Sequence, residues 1–219
     1  MIHRIIVSVG HKLVIHFRTK NRRARILLGE TIRSFIAIDL ESQTLNQISA
    51  LQKTLVDTDA DLKLVETKNI HITLRFLGEK PLSLVNRIGE DLNSLQFDPF
   101  EVSVHGTGVF PDMRRINVVW VGIEKGVLQL INIHNQIELK LKKLSIRPDD
   151  RGFSPHITVA RVKSAKNKDK LTETVLNTRD KEFGTFNVDS VKLKKSILTP
   201  KGPIYTTLAE AKAKTKTTS

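Results

Sequence analysis

The tetrapeptide His71-Ile72-Thr73-Leu74 returns 85 positions later as His156-Ile157-Thr158-Val159. Each copy lies among β-branched and apolar residues, a composition that favours a strand. Side chains alternate between the two faces of a strand, so the histidine and threonine of each copy share one face and the apolar residues share the other. The repeat therefore predicts an internal duplication in which each half presents one histidine beside one hydroxyl.

Two histidines in matched positions can divide the acid and base work of phosphoryl transfer. If the halves pack about a pseudo-two-fold axis, one ring removes a proton from the attacking oxygen while the other protonates the leaving oxygen. A histidine pKa near 6.5 allows one ring to be neutral and the other charged near neutral pH. A single strand histidine is more often an ordinary residue whose ring is satisfied by a backbone carbonyl, but the matched pair favours catalysis.

The residues around the two motifs resemble those of the two-histidine phosphoesterases. The likeness rests on Arg75-Phe76-Leu77-Gly78 after the first motif, Phe153-Ser154-Pro155 before the second, and Arg161 after it. Within that superfamily the chain is most similar to the RNA 2′,3′-cyclic phosphodiesterases, long called 2′-5′ RNA ligases, from about Arg33 to about Leu208. The resemblance implies an α+β fold with two antiparallel sheets, related by a pseudo-two-fold axis, lining a central cleft with helices outside.

The same resemblance implies an activity and its catalytic residues. The protein would hydrolyse 2′,3′-cyclic phosphate ends of RNA to 2′-phosphomonoesters without metal. Separately, we expect a monomer without a cofactor, whose RNA partners include tRNA fragments. His71 would be the proton donor to the departing 3′ oxygen, and His156 would be the proton acceptor that activates water. Thr73 and Thr158 would donate hydrogen bonds to the non-bridging oxygens, where charge must be stabilised.

Three further residues are candidate substrate contacts. Arg161 matches the arginine of the family and would bind phosphate through its planar guanidinium group, but its strand parity is opposite to that of His156 unless the strand bends. Arg75 has the same parity as His71 and is a second candidate. Phe153 could stack on a base or pack beneath the cleft.

The composition limits the classes of function that remain. The chain has 219 residues and no cysteine, which excludes a disulfide framework, a cysteine zinc site and a thiol nucleophile. The remaining histidines form no HExxH-like pair, so a metal hydrolase is disfavoured. No apolar run approaches the ~18–20 residues of a membrane span, and we expect a soluble cytoplasmic protein.

The charge and the order of patterns predict three segments. Residues 1–30 carry a net charge of +6 and form a basic extension, either a hairpin or a disordered arm. Residues 31–208 form the bilobal domain, and residues 209–219 form a disordered basic tail with a net charge of +2. Basic ends on a mildly basic body are compatible with a polyanionic partner such as RNA.

Within the domain, each half shows a strand, a helix and then a motif strand. The first half has a strand at 34–40 and a helix at 42–56, and the second has a strand at 116–123 and a helix at 126–144. The glycine-bearing stretch 106–115 predicts a loop. Further patterns predict helices after Pro81 and at 171–176, and closing strands at 186–198 and 205–208.

Other functions stay open at this point. The same site could act as a 2′-5′ RNA ligase on ends like those of tRNA halves, or hydrolyse another cyclic or 2′-5′-linked nucleotide. From a different class, the protein could be a non-catalytic RNA-binding module. The presence of both His-x-Thr pairs favours catalysis, because binding alone requires only positive charge and stacking surfaces.

Overall fold

The computed structural model describes residues 30–150 and 152–214, and these form an α+β fold, as predicted. The helices are α1 (Ser42–Val56), α2 (Leu82–Leu92), α3 (Val127–Lys143) and α4 (Lys168–Asn177), with a 3₁₀ turn at Thr67–Asn69. The strands are β1 (Thr31–Asp39), β2 (Leu62–Leu64), β3 (His71–Pro81), β4 (Phe100–Asp112), β5 (Arg115–Ile123), β6 (His156–Val162), β7 (Glu182–Val188), β8 (Ser190–Thr199) and β9 (Gly202–Lys212). The predicted extension, residues 1–30, lies outside the described residues except for Glu30.

The strands form one antiparallel sheet in the order β7-β4-β5-β6-β3-β1-β8-β9, with β2 added beside β6. The two predicted sheets are its halves, β3-β1-β8-β9 and β6-β5-β4-β7, which meet through the single residue pair Ile72 and Ile157. These isoleucines are equivalent residues of the two motifs. The pseudo-two-fold axis therefore passes between them, and the predicted duplication is confirmed.

The helices cover one face of this sheet. Helices α2 and α3 pack behind β3, and α1 and α4 pack behind β6 and β4 respectively. Ile72 and Ile157 are fully buried under them, in a core that includes Ile36, Ile88 and Ile137. Burial of this apolar surface is the main stabilising contribution to the fold. The opposite face carries His71, Thr73, His156 and Thr158 by strand alternation, and it is called the histidine face below.

Strand β3 contains two additional residues relative to its neighbour β1, Leu74 and Leu77, and the one at Leu74 follows the motif threonine. Thr73 pairs with Ala37 and Arg75 pairs with Ile36, so Leu74 has no partner. An unpaired residue of this kind is a β-bulge, and it reverses the alternation of the side chains that follow. Leu74 and Arg75 are consequently both buried on the helix side.

Strand β6 contains a bulge at the equivalent position. Thr158 pairs with Trp120 and Ala160 pairs with Val119, so Val159 is the additional residue. Val159 and Ala160 are both fully buried, like Leu74 and Arg75 in the first half. The duplication therefore includes the bulges as well as the motifs.

The prediction of a loop at residues 106–115 is wrong, because β4 continues to Asp112. Gly108 is required there by packing against the neighbouring strand. A β carbon at Gly108 would lie 2.2 Å from the ring of Trp120, so only glycine lets the indole lie against β4. The glycines were interpreted as turn residues because the partner strand cannot be seen in the sequence.

Two other boundaries differ from the prediction. The predicted strand at 186–198 is two strands, β7 and β8, separated at Asp189. The predicted tail begins later than residue 209, because residues 209–212 complete β9 and Ala211 is 3% exposed. Beyond the strand, the backbone N–H of Lys214 still donates to the carbonyl of Phe97 at 2.9 Å.

Candidate active site

Each motif histidine contacts the backbone carbonyl oxygen of the residue two positions before it. Nδ1 of His71 lies 2.7 Å from the carbonyl oxygen of Asn69, and Nδ1 of His156 lies 2.8 Å from that of Ser154. A carbonyl oxygen only accepts, so Nδ1 carries the proton in each ring and donates it. The other nitrogen, Nε2, is thereby the atom of each neutral ring that can accept a proton from substrate.

The structure brings the two predicted His-Thr pairs to one place. Because β3 and β6 are antiparallel and meet at their motif isoleucines, Thr73 lies toward His156 and Thr158 lies toward His71. All four residues are partly buried, so each side chain keeps some access to solvent. One face of two adjacent strands therefore holds two imidazoles and two hydroxyls.

The first histidine lies in the more enclosed setting. The ring centroid of His71 is 4.9 Å from that of Phe35 and 5.5 Å from that of Tyr205, which meets it edge-on. Burial lowers the pKa of His71 to about 4, and the nearby charge of Lys194 acts in the same direction. His71 is therefore neutral near pH 7 in the unliganded protein.

The second histidine has different aromatic neighbours. The ring of His156 meets Phe110 edge-on with centroids 4.9 Å apart, and lies 6.3 Å from Trp120. Phe110 belongs to β4 and Trp120 to β5, whereas the neighbours of His71 belong to β1 and β9. The two halves thus hold their histidines in the same way and cover them differently.

Asp39, Lys192 and Lys194 form a charged cluster beside His71. Asp39 accepts hydrogen bonds from Nζ of both lysines, at 3.2 Å from Lys192 and more closely from Lys194. Although burial alone would raise the pKa of Asp39, these bonds and charges lower it. In the strand register Asp39 pairs with His71, and Lys194 pairs with Phe35, so the cluster lies on the histidine face. It was missed from the sequence because its position depends on the strand order.

Arg161 lies on the histidine face of β6. The bulge at Val159 returns this exposed side chain to the histidine face, which removes the objection from strand parity. Its charge also acts on Tyr205, the neighbour of His71. Burial raises the pKa of Tyr205, and the charges of Arg161 and Arg33 oppose that shift.

The prediction that Arg75 contacts substrate is wrong. Its Nε lies 2.6 Å from Oε1 of Glu138 on α3, its Nη1 lies 3.2 Å from Oδ2 of Asp149, and it also donates to the carbonyl of Arg147. The residue is 8% exposed. Simple alternation placed Arg75 on the histidine face, whereas the bulge at Leu74 turns it to the helix side.

Phe153, predicted either to stack on a base or to pack beneath the cleft, has a packing contact in the structure. Its ring stacks on His134 of α3, with centroids 4.4 Å apart and planes inclined by 3°. It packs against the hydrophobic core from the segment that leads into β6. The alternative given with this prediction, packing, is the one that the structure shows.

Asn69 is a residue that sequence reasoning missed. Its backbone oxygen holds His71, and its buried side-chain Nδ2 donates to the carbonyl of Pro203 at 2.9 Å. Pro203 is the second residue of β9, which carries Tyr205. Asn69 thus fixes the first histidine and its aromatic neighbour together. The equivalent Ser154 is exposed.

Residues 30–150 and 152–214 contain no group of three or more His, Cys, Asp or Glu side chains placed to hold a metal ion. In the same part of the chain, no helix is long and apolar enough to cross a membrane.

A curled antiparallel sheet with two symmetry-related His-x-Thr strands defines the class of the two-histidine phosphoesterases. The family model described as the 2′-5′ RNA ligase superfamily matches residues 36–196, and the chain belongs to this family. The predicted family, fold class and enzymatic nature are thereby confirmed.

Named relatives cover most of the chain. It is 39% identical over 177 residues to the RNA 2′,3′-cyclic phosphodiesterase of Methanothermobacter thermautotrophicus, covering 80% of this chain and 95% of the relative. It is 40% identical over 167 residues to the protein of the same name from Aeropyrum pernix, covering 76% and 95%. A crystal structure of E. coli LigT complexed with 3′-AMP has a TM-score of 0.71 at 23% identity, over 85% of this chain and 100% of that one, and shows the shared fold.

Proposed function

We propose that the protein hydrolyses 2′,3′-cyclic phosphate ends of RNA to 2′-phosphomonoesters. The observation that carries the proposal is the matched tautomer of His71 and His156, whose Nδ1 protons are both held by backbone carbonyls. Each ring then has Nε2 available for proton transfer, beside a threonine hydroxyl. The names of the relatives support the substrate class.

The reaction divides between the two rings. Water attacks phosphorus in line with the departing 3′ oxygen, so acid and base lie on opposite sides of the phosphorus atom. His156 Nε2 accepts a proton from the water as the new P–O bond forms. His71 donates a proton to the 3′ oxygen as the P–O3′ bond breaks. Thr73 and Thr158 donate to the non-bridging oxygens, and Arg161 binds the same negative charge.

The low pKa of His71 adds a requirement to this assignment. A general acid must be protonated when the leaving oxygen departs, yet burial keeps this ring neutral near pH 7 in the free protein. A phosphate anion beside Nε2 favours the charged imidazolium and raises the pKa. His71 therefore takes up its proton as substrate binds.

The direct test uses RNA that ends in a 2′,3′-cyclic phosphate, incubated with the protein in EDTA. We expect a 2′-phosphate product and retained activity, because acid and base are both side chains. Loss of activity in EDTA that a divalent ion restores would overturn the metal-independent mechanism. A 3′-phosphate product would overturn the assignment of the leaving oxygen.

The same assay separates hydrolysis from ligation. Addition of a second RNA with a 5′-hydroxyl end supplies the acceptor that a 2′-5′ ligase needs. Formation of a joined product in place of the 2′-phosphate would establish ligation at this site, with the 5′-hydroxyl replacing water as the nucleophile and the same P–O3′ bond broken. A preparation with both histidines replaced by alanine controls for contaminating nuclease.

The biological setting is part of the proposal. The RNA ends include those of tRNA fragments, the protein acts in the cytoplasm, and its active form is a monomer. Light scattering coupled to size-exclusion chromatography tests the oligomeric state, and a mass near 24.7 kDa is expected.

A further inference from the structure

Strands β2 and β3 lie in succession along one edge of β6. Lys63 of β2 pairs with Arg161. Ile72 of β3, the residue after His71, pairs with Ile157. The other edge of β6 is occupied by β5. Lys63 therefore lies on the same side of β6 as His71, farther from the point where the two halves of the sheet meet.

Lys63 projects from the histidine face together with Arg161. Leu62 and Leu64, on either side of Lys63, pack against the hydrophobic core, so alternation turns Lys63 to the opposite face. Both cationic side chains are exposed, and within residues 30–150 and 152–214 neither forms an ion pair with a carboxylate. Like charges directly opposite each other on adjacent strands destabilise a sheet. Lys63 and Arg161, called the cation pair below, are therefore arranged to bind an anion from outside the chain rather than to stabilise the fold.

The cation pair adjoins the first histidine. The charge of Arg161 acts on Tyr205, and the ring centroid of Tyr205 is 5.5 Å from that of His71. Lys63 is the neighbour of Arg161 on the side of β6 that carries His71. An anion bound at Lys63 would thus lie next to a phosphate bound between the two histidines.

The direction of the RNA chain follows from the proposed function, on which this inference rests. His71 protonates the 3′ oxygen of the terminal ribose, so that ribose lies on the side of β6 that carries His71 and Lys63. RNA continues from the same ribose through its 5′ oxygen to a phosphodiester, which is one nucleotide away from the cyclic phosphate. Arg161 is assigned to the cyclic phosphate, and Lys63 is the member of the cation pair that is available to the second phosphate.

We propose that Lys63 binds the phosphodiester on the 5′ side of the terminal nucleotide, and that this contact makes the site prefer RNA ends to cyclic mononucleotides. Lys192 and Lys194 also lie near His71, but both bind Asp39. An ammonium group binds phosphate as a point charge and does not read the base. The preference is therefore one of chain length and not of sequence.

The experiment compares the dinucleotide ApA ending in a 2′,3′-cyclic phosphate with adenosine 2′,3′-cyclic phosphate, which lacks the second phosphate. The measured quantity is the ratio of kcat/KM between these two substrates. We expect Lys63→Gln to lower this ratio about 5-fold, and to reduce the slope of log kcat/KM against log salt for the dinucleotide by about 0.7. Lys63→Arg keeps the charge and should keep the ratio. Lys53→Gln is the matched control, because Lys53 is an exposed lysine of α1, on the helix side of the sheet.

Binding without turnover separates this inference from the proposed function. Titration calorimetry with adenosine 2′-monophosphate and with ApA ending in a 2′-phosphate should show an affinity loss of about 5-fold in Lys63→Gln for the dinucleotide alone. An unchanged substrate ratio, or an unchanged affinity for the dinucleotide, would overturn the inference. An equal loss for both ligands would also overturn it, because Lys63 would then bind the terminal phosphate. Failure of the wild type to hydrolyse either substrate would overturn the proposed function, and the calorimetry would still decide whether Lys63 binds the second phosphate.

Discussion

The two halves of the histidine face have the same backbone arrangement and differ in the side chains that pack against each histidine. In each half a carbonyl two residues before the histidine orients the ring, and a bulge three residues after the histidine redirects the strand. His71 lies beneath Phe35 and Tyr205 and beside a lysine, whereas His156 lies against residues of β4 and β5. Duplication supplies two equivalent imidazoles in different surroundings, and the proposed mechanism makes His71 the acid only once bound phosphate raises its pKa.

The bulges show a second contrast within the same symmetry. The carbonyl of Val159 accepts a hydrogen bond from Nε2 of Gln52 at 2.9 Å, and this side chain is buried on α1. In the first half, Arg75 instead anchors the strand to Glu138 of α3. Each bulge therefore has a buried polar side chain on its helix side. That side chain is paired, because a buried polar group without a partner destabilises the fold.

The largest expected effect comes from removing either histidine. His71→Ala and His156→Ala should each lower kcat on RNA cyclic phosphate by about 10²–10⁴-fold, the range for one general acid or base. Because both rings are surrounded by other side chains, thermal unfolding is measured alongside the rates. A well-folded variant of either histidine with near wild-type activity would contradict the proposal that the two histidines act together as acid and base.

Arg75 and Arg161 each follow a bulge, and their substitution should affect stability in one case and activity in the other. Arg75→Ala removes a buried cation that pairs with Glu138 and Asp149 and should lower the free energy of unfolding by about 3 kcal/mol. Arg161→Ala, at an exposed site, should change stability by only about 0.5 kcal/mol but weaken binding of cyclic phosphate substrate. Urea unfolding and kcat/KM are measured for both. Similar profiles for the two variants would mean that the bulges do not direct these side chains to opposite faces.

Asn69 and Ser154 form a matched pair for testing how the histidines are positioned. Asn69→Ala removes the bond to Pro203 and should destabilise the protein by about 1–2 kcal/mol and lower kcat. Ser154→Ala should have little effect, because Ser154 holds His156 through its backbone oxygen and its side chain is exposed. Asn69→Gln keeps an amide group but carries it on a side chain that is one methylene longer. Equal effects of the two alanine variants would contradict the inference that the side chain of Asn69, unlike that of Ser154, helps to position its histidine.

A further prediction concerns the effect of pH on stability through the burial of His71. Its folded pKa of about 4 lies below the ordinary value near 6.5, so the unfolded chain binds the proton more readily between these values. The stability of the wild type should therefore fall as the pH falls from about 6.5 to about 4. His71→Gln should lose less stability over the same window, as measured by urea unfolding at several pH values. A parallel decline in both proteins would show that His71 titrates normally.

The sequence predicts the parts of this fold that follow a regular period. The paired motifs, the helices that follow β1 and β5, and the faces of His71 and Thr73 all follow from alternation and helical spacing. The bulges have no signature in a single sequence, because an unpaired residue is defined only by the strand beside it. For this reason, simple alternation predicts that Arg75 faces the substrate and that Arg161 lies on the opposite face from His156.

The remaining misses depend on which elements become neighbours. Phe153 stacks on His134 only because α3 packs behind the first half of the sheet. Lys192 and Lys194 reach the histidine face only because β8 pairs with β1, although the two strands are far apart in the chain. Such contacts follow from topology and packing, which local spacing does not encode.

The central claim is that His71 is the acid and His156 the base, and the most direct test changes the leaving group. Rates are measured for the wild type, His71→Ala and His156→Ala on a ribose cyclic phosphate and on a phosphodiester with an acidic phenol as leaving group. The phenolate departs without a proton, so the loss in His71→Ala should be much smaller on the aryl ester, while His156→Ala should lose activity on both. Recovery confined to His156→Ala would exchange the roles, and equal losses on both substrates in both variants would contradict acid–base catalysis by this pair.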